Sequence, residues 1–411
     1  MRKLNEQYHI QDQILKERLD QVLGEVMEEC GIECWLFACR EYNEDPIFRC
    51  ITPALYPTAR RLTILVFARK DGKTECLNLG MPDPFLNQYY KQAYSPKEEE
   101  QFAAVERVLR EINPKNIAIN VSKDGYAYTD GLSHALYEEL MEKLPKDLTD
   151  RFVSSDLVGI RLLETRTPTE LEVYPEVMDV AMEIIEAAFS DEVIIPGKTT
   201  CREVMDFMAQ EVNNRGITTW FNPTIDLQNE NGMQEEDAVI NRGDLVHCDF
   251  GIIYLNLCTD TQRLCYILKE DEEDMPEELK QAMKRNNRFQ DIVRSNMKIG
   301  ATGNEVFVKS VEEGKKEGLR PFLYTHPCGL FGHSAGPTIG LWTNQNPIPV
   351  KGDLKLYNHT SYALELSILE YLDMYKRDTY IFTEETVVLT EEGVSFLAEN
   401  RDRIKVIRGG K

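Results

Sequence analysis

Five residues in the C-terminal part of the chain are of types that bind hard cations: Asp249, Asp260, His326, Glu365 and Glu384. Asp249 and Asp260 stand eleven residues apart in LVHCDFGIIYLNLCTDTQR. His326 opens HPCGLFGHSAGPTIG, and the two glutamates fall in YALELS and FTEETVVLT. Four carboxylates and an imidazole suit a pair of divalent cations, whose charge they neutralise. Without metal, four crowded acids repel one another and their pKa values rise. If the five converge, the chemistry they imply is two-metal hydrolysis.

Each member also has a plain alternative. Acidic residues number 70 among 411, so roughly one position in six carries a carboxylate by composition alone. A two-residue turn at Tyr254-Leu255 would set Asp249 directly opposite Asp260 across a hairpin, with Cβ atoms ~5 Å apart. The chain has six histidines, and two of them, His326 and His333, each begin a His-x-x-Gly in a glycine-rich stretch. Glycine there permits close backbone approach, as at a ligand site. Glu365 interrupts the apolar run Tyr362-Ala-Leu-Glu-Leu. A glutamate is rarely buried unpaired, so it either faces solvent or holds a cation. Glu384 and Glu385 both precede the strand-like TVVLT, and spacing does not choose between them.

The elements that must position these residues follow from periodicity. Residues 11–29 have helical spacing of apolar side chains. CWLFAC (34–39), RLTILVFAR (61–69) and NIAINV (116–121) read as strands. Ser95-Pro96-Lys97-Glu98 has the form of a capping box opening a helix to about Ile112. These elements make a smaller α/β domain, assigned to residues 1–160. Thr167-Pro168-Thr169-Glu170 opens the next helix, with Pro175 inside it predicting a kink or restart. In the second domain, residues 161–411, helices are expected at 201–214, about 276–296 and 303–316. A hairpin is expected over 244–268, with strands at about 354–369 and 378–389. Thr200-Cys-Arg-Glu203-Val204 and Thr302-Gly-Asn-Glu305-Val306 are each followed by a glycine thirteen residues after the glutamate. This weak repeat predicts two similar α/β halves.

The bulk properties bound the function. A length of 411 residues accommodates two cores. A net charge of −23 disfavours nucleic acid and anionic membranes as partners. No apolar stretch reaches the ~20 residues of a bilayer span, and the first twenty residues have no apolar core of a signal peptide. Ten cysteines at irregular spacing, without a CxxC pair, suit buried single thiols in a reducing cytoplasm.

Taken together, the motifs resemble those of the pita-bread metallopeptidases: methionine aminopeptidase, aminopeptidase P and prolidase. The resemblance covers about residues 160–400, and the N-terminal part is similar in layout to the extra domain of the proline-specific members. It rests on Asp249-Phe-Gly251, Asp260-Thr-Gln-Arg263, His326-x-x-Gly329 with His333 seven residues later, and Glu384-x-x-Val387-Val388. It implies an α/β catalytic domain of two pseudo-symmetric halves and two divalent ions (Mn, Co or Zn). It also implies a small peptide substrate cleaved at its N-terminal bond, an Xaa-Pro type of specificity, and a homodimer. The metal ligands it implies are Asp249, Asp260, His326, Glu365 and Glu384, which selects His326 over His333 and Glu384 over Glu385. Asp260 and Glu384 would bridge the ions, with Asp249 on one, and His326 with Glu365 on the other. Glu365 would also move the proton of a metal-activated water, and His333 would steady the tetrahedral intermediate or orient the substrate.

Three departures mark a divergent branch. The family's upstream histidine, about seventeen residues before the first aspartate, is absent, and Gly232 and Met233 stand there. The Pro-Gly that follows the first glutamate is Leu366-Ser367, and the arginine two residues before the last glutamate is Phe382. Two other functions stay in view: an amidase for a non-peptide substrate on the same fold, and a binding protein that retains the metal site.

Overall fold

The computed structural model describes residues 1–70, 72–398, 401 and 403–409. The chain divides into two compact units, Arg2–Glu170 and Leu171–Lys411. In the first, β1 (Cys34–Arg40), β2 (Leu62–Lys70), β3 (Lys73–Asn78), β4 (Lys91–Gln92), β5 (Ile117–Ile119) and β6 (Phe152–Ser154) form one sheet in the order β4-β3-β2-β1-β5-β6. Helices α1 (Leu4–Glu17), α2 (Leu23–Glu29), α3 (Gln101–Ile112), α4 (His134–Lys143), α5 (Lys146–Thr149) and α6 (Asp156–Glu164) complete it. Its core joins Leu36, Ile64 and Val66 of the sheet to Val105, Val108 and Leu109 of α3.

Helix α3 starts at Gln101, not after Ser95 as expected. The amides of Glu98 and Glu99 instead donate to the Ser95 carbonyl, closing a turn. The reason is burial. The apolar stripe of this helix begins at Phe102, so the charged stretch before it has nothing to cover. Pro175 does not restart α7 (Pro168–Ala188), which runs on through it. Its capping box is formed, with Glu170 N donating to Thr167 Oγ1 at 3.2 Å and Thr167 N to Glu170 Oε2 at 2.8 Å.

The second unit is built on β7 (Thr218–Thr219), β8 (Thr224–Asn229), β9 (Gly232–Gln234), β10 (Leu245–Phe250), β11 (Ile252–Tyr254), β12 (Leu257–Cys258) and β13 (Thr261–Ile267). It continues with β14 (Pro321–Leu323), β15 (His326–Pro327), β16 (Thr360–Leu372), β17 (Arg377–Thr390), β18 (Gly393–Phe396) and β19 (Lys405–Ile407). The main sheet runs β14-β16-β17-β13-β10-β8-β9, with β15 on β16, β18 on β17 and β19 on β13. Helices α9 (Glu277–Asn296) and α10 (Gly303–Lys316) bury Phe289, Val293, Val306 and Phe307 with the sheet residues Leu264, Leu364 and Leu366.

The internal repeat extends beyond the sequence match. Helix α8 (Cys201–Asn214) and α10 both open with a complete capping box, on Thr200/Glu203 and Thr302/Glu305. Thr200 bridges Val239, and Thr302 bridges Lys355. The amide after each threonine donates back, Cys201 to Ala238 O and Gly303 to Leu354 O, at 3.0 and 3.1 Å. Each helix is closed by a left-handed glycine, Gly216 at φ 67° and Gly318 at φ 76°. Two equivalent helix–strand units thus face the shared sheet.

The hairpin between Asp249 and Asp260 differs from expectation in its register. Its tip is Leu255-Asn256, both with positive φ (55° and 61°), and Tyr254 pairs with Leu257. Positive φ at both central positions is the turn geometry that matches strand twist, and asparagine adopts it readily. The tip therefore sits one residue later than Tyr254-Leu255, and every pairing shifts by two. Asp249 opposes Gln262, not Asp260.

Candidate metal centre

The strand register assembles the candidate residues in ranks. One rank crosses five strands: Thr224 opposes Asp249, Asp249 opposes Gln262, Gln262 opposes Glu384, and Glu384 opposes Glu365. Opposed residues share a face of the sheet, so the three acids and Gln262 project together. A second rank lies two residues away. Asp260 precedes Gln262 by two, and Thr386 follows Glu384 by two. The Thr386 hydroxyl accepts from Asp260 N at 3.0 Å and donates to Asp260 O at 2.9 Å. In the same rank His326 opposes Ala363, two residues before Glu365.

All five sequence-derived ligand candidates meet there. Asp260, His326 and Glu384 form one group and Asp249, Glu365 and Glu384 another, with the ligand atoms of each group within 4.8 Å of one another. His326 Nε2 lies 3.4 Å from Asp260 Oδ2, 3.8 Å from Glu384 Oε1 and 3.9 Å from Glu365 Oε2. His326 Nδ1 lies 3.0 Å from the Pro327 carbonyl. A donor hydrogen on Nδ1 leaves the lone pair on Nε2, facing the acids.

Burial and mutual repulsion raise the pKa values of the four clustered acids. Burial, then Asp260, pushes the Asp249 carboxyl up to about 7. Burial pushes Asp260 up to about 8. Glu365 and Glu384 are held well above the usual carboxylate range by burial and then by their acidic neighbours. Asp249 Oδ1, His326 Nε2 and both Glu384 carboxylate oxygens are buried without a hydrogen-bond partner. Oxygen and nitrogen lone pairs converging in this way fit hard or borderline divalent cations.

The orientation of the paired glutamates follows from strand alternation. Neither faces solvent: Glu384 is 1% exposed and Glu385 0%. Glu385 points to the opposite face of β17, where Arg263 Nη1 meets its Oε1 and Nη2 its Oε2, each at 2.9 Å. The Arg263 side chain is only 10% exposed. Breaking a buried pair by removing one partner costs about 3–5 kcal/mol. Glu385→Gln is therefore expected to lower unfolding stability by that order, measured by denaturant titration, with the metal content of the folded protein unchanged. Loss of metal at full stability would contradict this division of labour.

His333 stands beside the cluster, its ring centroid 4.5 Å from that of His326 and 5.0 Å from Trp220. Burial, then His326, pushes His333 down to about 4, so the ring is neutral at neutral pH. Trp220 Nε1 donates to Thr259 O at 2.9 Å. The indole also covers two glycines: an added Cβ at Gly332 would lie 2.1 Å from it, and one at Gly251 2.3 Å. Gly251 of Asp249-Phe-Gly251 and Gly332, next to His333, are packing requirements.

Two contributors escaped the sequence reading. Gln262 is the middle of the acidic rank, and its Nε2 donates to Glu365 Oε1 at 2.6 Å. Its signal was period-two spacing from Asp260. His247 lies two residues before Asp249 on the same face. Its Nδ1 is 2.7 Å from Asp226 Oδ2, and Phe382 packs on its ring at 4.6 Å. Burial works against charge on the His247 ring, but Asp226, then Asp249 and the Gln262 amide, raise its pKa above the ordinary value.

A model of metallopeptidase family M24 matches residues 175–391, which contain the whole cluster. The chain belongs to this family. M24 members use divalent metals, in keeping with the ligand chemistry above. The X-Pro aminopeptidase of Thermotoga maritima is similar in structure, with a TM-score of 0.66 at 18% identity over 93% of this chain and 99% of that one. The Xaa-Pro dipeptidase of Bacillus anthracis is similar at TM-score 0.63 and 17% identity, covering 95% and 99%. The N-terminal domain of the FACT complex subunit SPT16 from chickpea is similar at TM-score 0.59 and 12% identity, covering 94% and 96%. These likenesses establish the pita-bread M24 fold, with an N-terminal domain ahead of the catalytic one. A search of curated proteins found no match. All ten cysteines are free, and no helix among the described residues is long and apolar enough to cross a membrane.

Proposed function

We propose that this M24 protein is a dinuclear aminopeptidase or dipeptidase that cleaves the N-terminal bond of short peptides, of the Xaa-Pro type. The observation that carries the reading is the convergence of buried, partnerless ligand atoms on Asp249, His326 and Glu384. Asp249, Asp260, His326, Glu365 and Glu384 would hold two divalent ions (Mn, Co or Zn). When bound, such a pair supplies Lewis-acid polarisation of a carbonyl and a water of lowered pKa.

The chain's own groups supply the rest. Glu365 keeps 17% of its side chain exposed and is steadied by Gln262. It accepts the proton of the attacking water and passes it to the leaving amine. His333, neutral and wedged against Trp220, donates a hydrogen bond to the substrate carbonyl as charge develops on its oxygen. The N-terminal unit acts as an accessory domain, and the assembly is a homodimer, the commonest closed form.

A panel of Xaa-Pro dipeptides and tripeptides with added Mn²⁺ tests the reading. Release of the N-terminal residue is expected, lost on chelation and restored by metal. Protein shown to hold two ions that cleaves no peptide of the panel would sink it and favour an amidase for a non-peptide substrate.

A further inference from the structure

Trp342 holds a wide aromatic surface in water close to the acidic cluster. Its side chain belongs to a residue 44% exposed. Four rings pack around the indole: Tyr324 at 5.1 Å between centroids, Tyr380 at 5.3 Å, Phe322 at 5.7 Å and Phe382 at 6.0 Å. Tyr380 and Phe382 stack on each other at 5.4 Å. Tyr324 and Phe382 are buried, so Trp342 is the open end of the group. Strand phase puts these rings on the face that carries the acids. Leu364 and Leu366 of β16 and Ile381 and Val387 of β17 pack into the core with α9 and α10. Glu365, Tyr380, Phe382 and Glu384 alternate with them and face the other way. Phe382 opposes Ser367, which opposes Phe322, and this rank is two residues from the one that pairs Glu384 with Glu365. Two residues of strand span ~7 Å, as do two residues of an extended peptide.

Two side-chain amides fix the backbone behind the rings. Leu323 N donates to Gln345 Oε1 at 3.0 Å, and Gln345 Nε2 donates to Leu323 O at 3.1 Å and to Leu341 O at 2.8 Å. The segment that bears Trp342 is thereby clamped to β14. Tyr380 N donates to Gln228 Oε1 and Gln228 Nε2 to Tyr380 O, each at 2.9 Å. A rigid aromatic surface left in water gains nothing for folding and gains only when a ligand covers it. The ligand that can reach it is the chain already held at the acids, since the rings begin one rank away. Neutral ring faces suit a flat or branched apolar group. We infer that Trp342, with Tyr380 and Phe382, forms a subsite for one large apolar side chain of the substrate peptide. Trp342 is then a specificity-determining residue.

The inference rests on the peptidase reading given above, and the two are tested apart. Peptides carrying Gly, Leu, Phe or Lys on each side of the scissile bond in turn are compared by kcat/KM. At one of the two positions, Phe and Leu are expected to exceed Gly by roughly 10–100-fold, the effect of burying such a side chain. Trp342→Ala should erase that preference, and Trp342→Phe, which keeps a ring, should retain part of it. Equal losses on Gly and Phe peptides, a preference for Lys, or no preference at either position would overturn the subsite. A second readout needs no turnover. In fluorotryptophan-labelled full-length protein, the three tryptophans permit assignment of each ¹⁹F signal by substitution. The Trp342 signal should shift with L-phenylalaninamide and stay in place with glycinamide. A signal that answers neither would overturn the subsite even in an active enzyme. A protein inert toward every peptide whose Trp342 signal still responds would lose the proposed function and keep the subsite.

Discussion

Glu384→Gln is expected to lower kcat/KM on the order of 10³-fold and to prevent loading of the second metal ion. Glu384 is the one residue common to both ligand groups, and both of its oxygens lack a hydrogen-bond partner. Glutamine keeps the volume and the strand register, so the change removes a charge and one ligand oxygen while leaving the packing in place. Metal-ion polarisation supplies several kcal/mol of transition-state stabilisation, and 1.4 kcal/mol is one decade in rate. Steady-state kinetics at saturating Mn²⁺, with metal counted by mass spectrometry, would check it. A variant within tenfold of wild type that still carries two ions would remove Glu384 from the site. Its neighbour gives the contrast, because Glu385→Gln should affect folding and spare the metal.

Metal-free protein should lose stability as pH rises from about 4 to about 8, and added metal should reverse that slope. Asp249 and Asp260 are pushed up to about 7 and about 8, above the ordinary value of 3.8. Between the unfolded and folded pKa values the native state keeps protons that the unfolded chain has released. Stability therefore falls with rising pH across that window. Glu365 and Glu384 are shifted in the same direction. Cations displace those protons, so their stabilising effect grows with pH. Melting temperatures with and without Zn²⁺ should diverge more at about pH 8 than at about pH 5.5, and Asp260→Asn should flatten the metal-free slope. Parallel curves with and without metal would argue against a cation at these acids.

Much of the site was legible because its residues are chemically conspicuous. Few residue types bind hard cations, and a glutamate inside YALELS stands out against its neighbours. The helices that begin at Thr200 and Thr302 were also legible, since a capping box states its own start. Register was harder to read. The expected opposition of Asp249 and Asp260 depended on where the chain turns, and that was settled by which residues adopt positive φ at the tip. The alternation that turns Glu384 inward and pairs Glu385 with Arg263 depends on strand phase, which two adjacent glutamates do not reveal. Gln262 was invisible for a different reason. A neutral amide has no metal-binding signature, and its place in the acidic rank is a matter of alignment between strands.

Because the candidate ligands lie in ranks across neighbouring strands, the site can change only in discrete steps. A deletion of one residue within β10 or β17 would turn every following side chain to the other face. A deletion of two would keep the face but bring the next rank into place. On β10 that brings Gly251 to the place of Asp249, and on β17 it brings Thr386 to the place of Glu384. Neither move leaves four acids together. Drift along the strands is therefore confined to substitution. The departures from the family pattern at Leu366-Ser367 and Phe382 are of that kind: replaced letters in an alignment whose spacing is preserved.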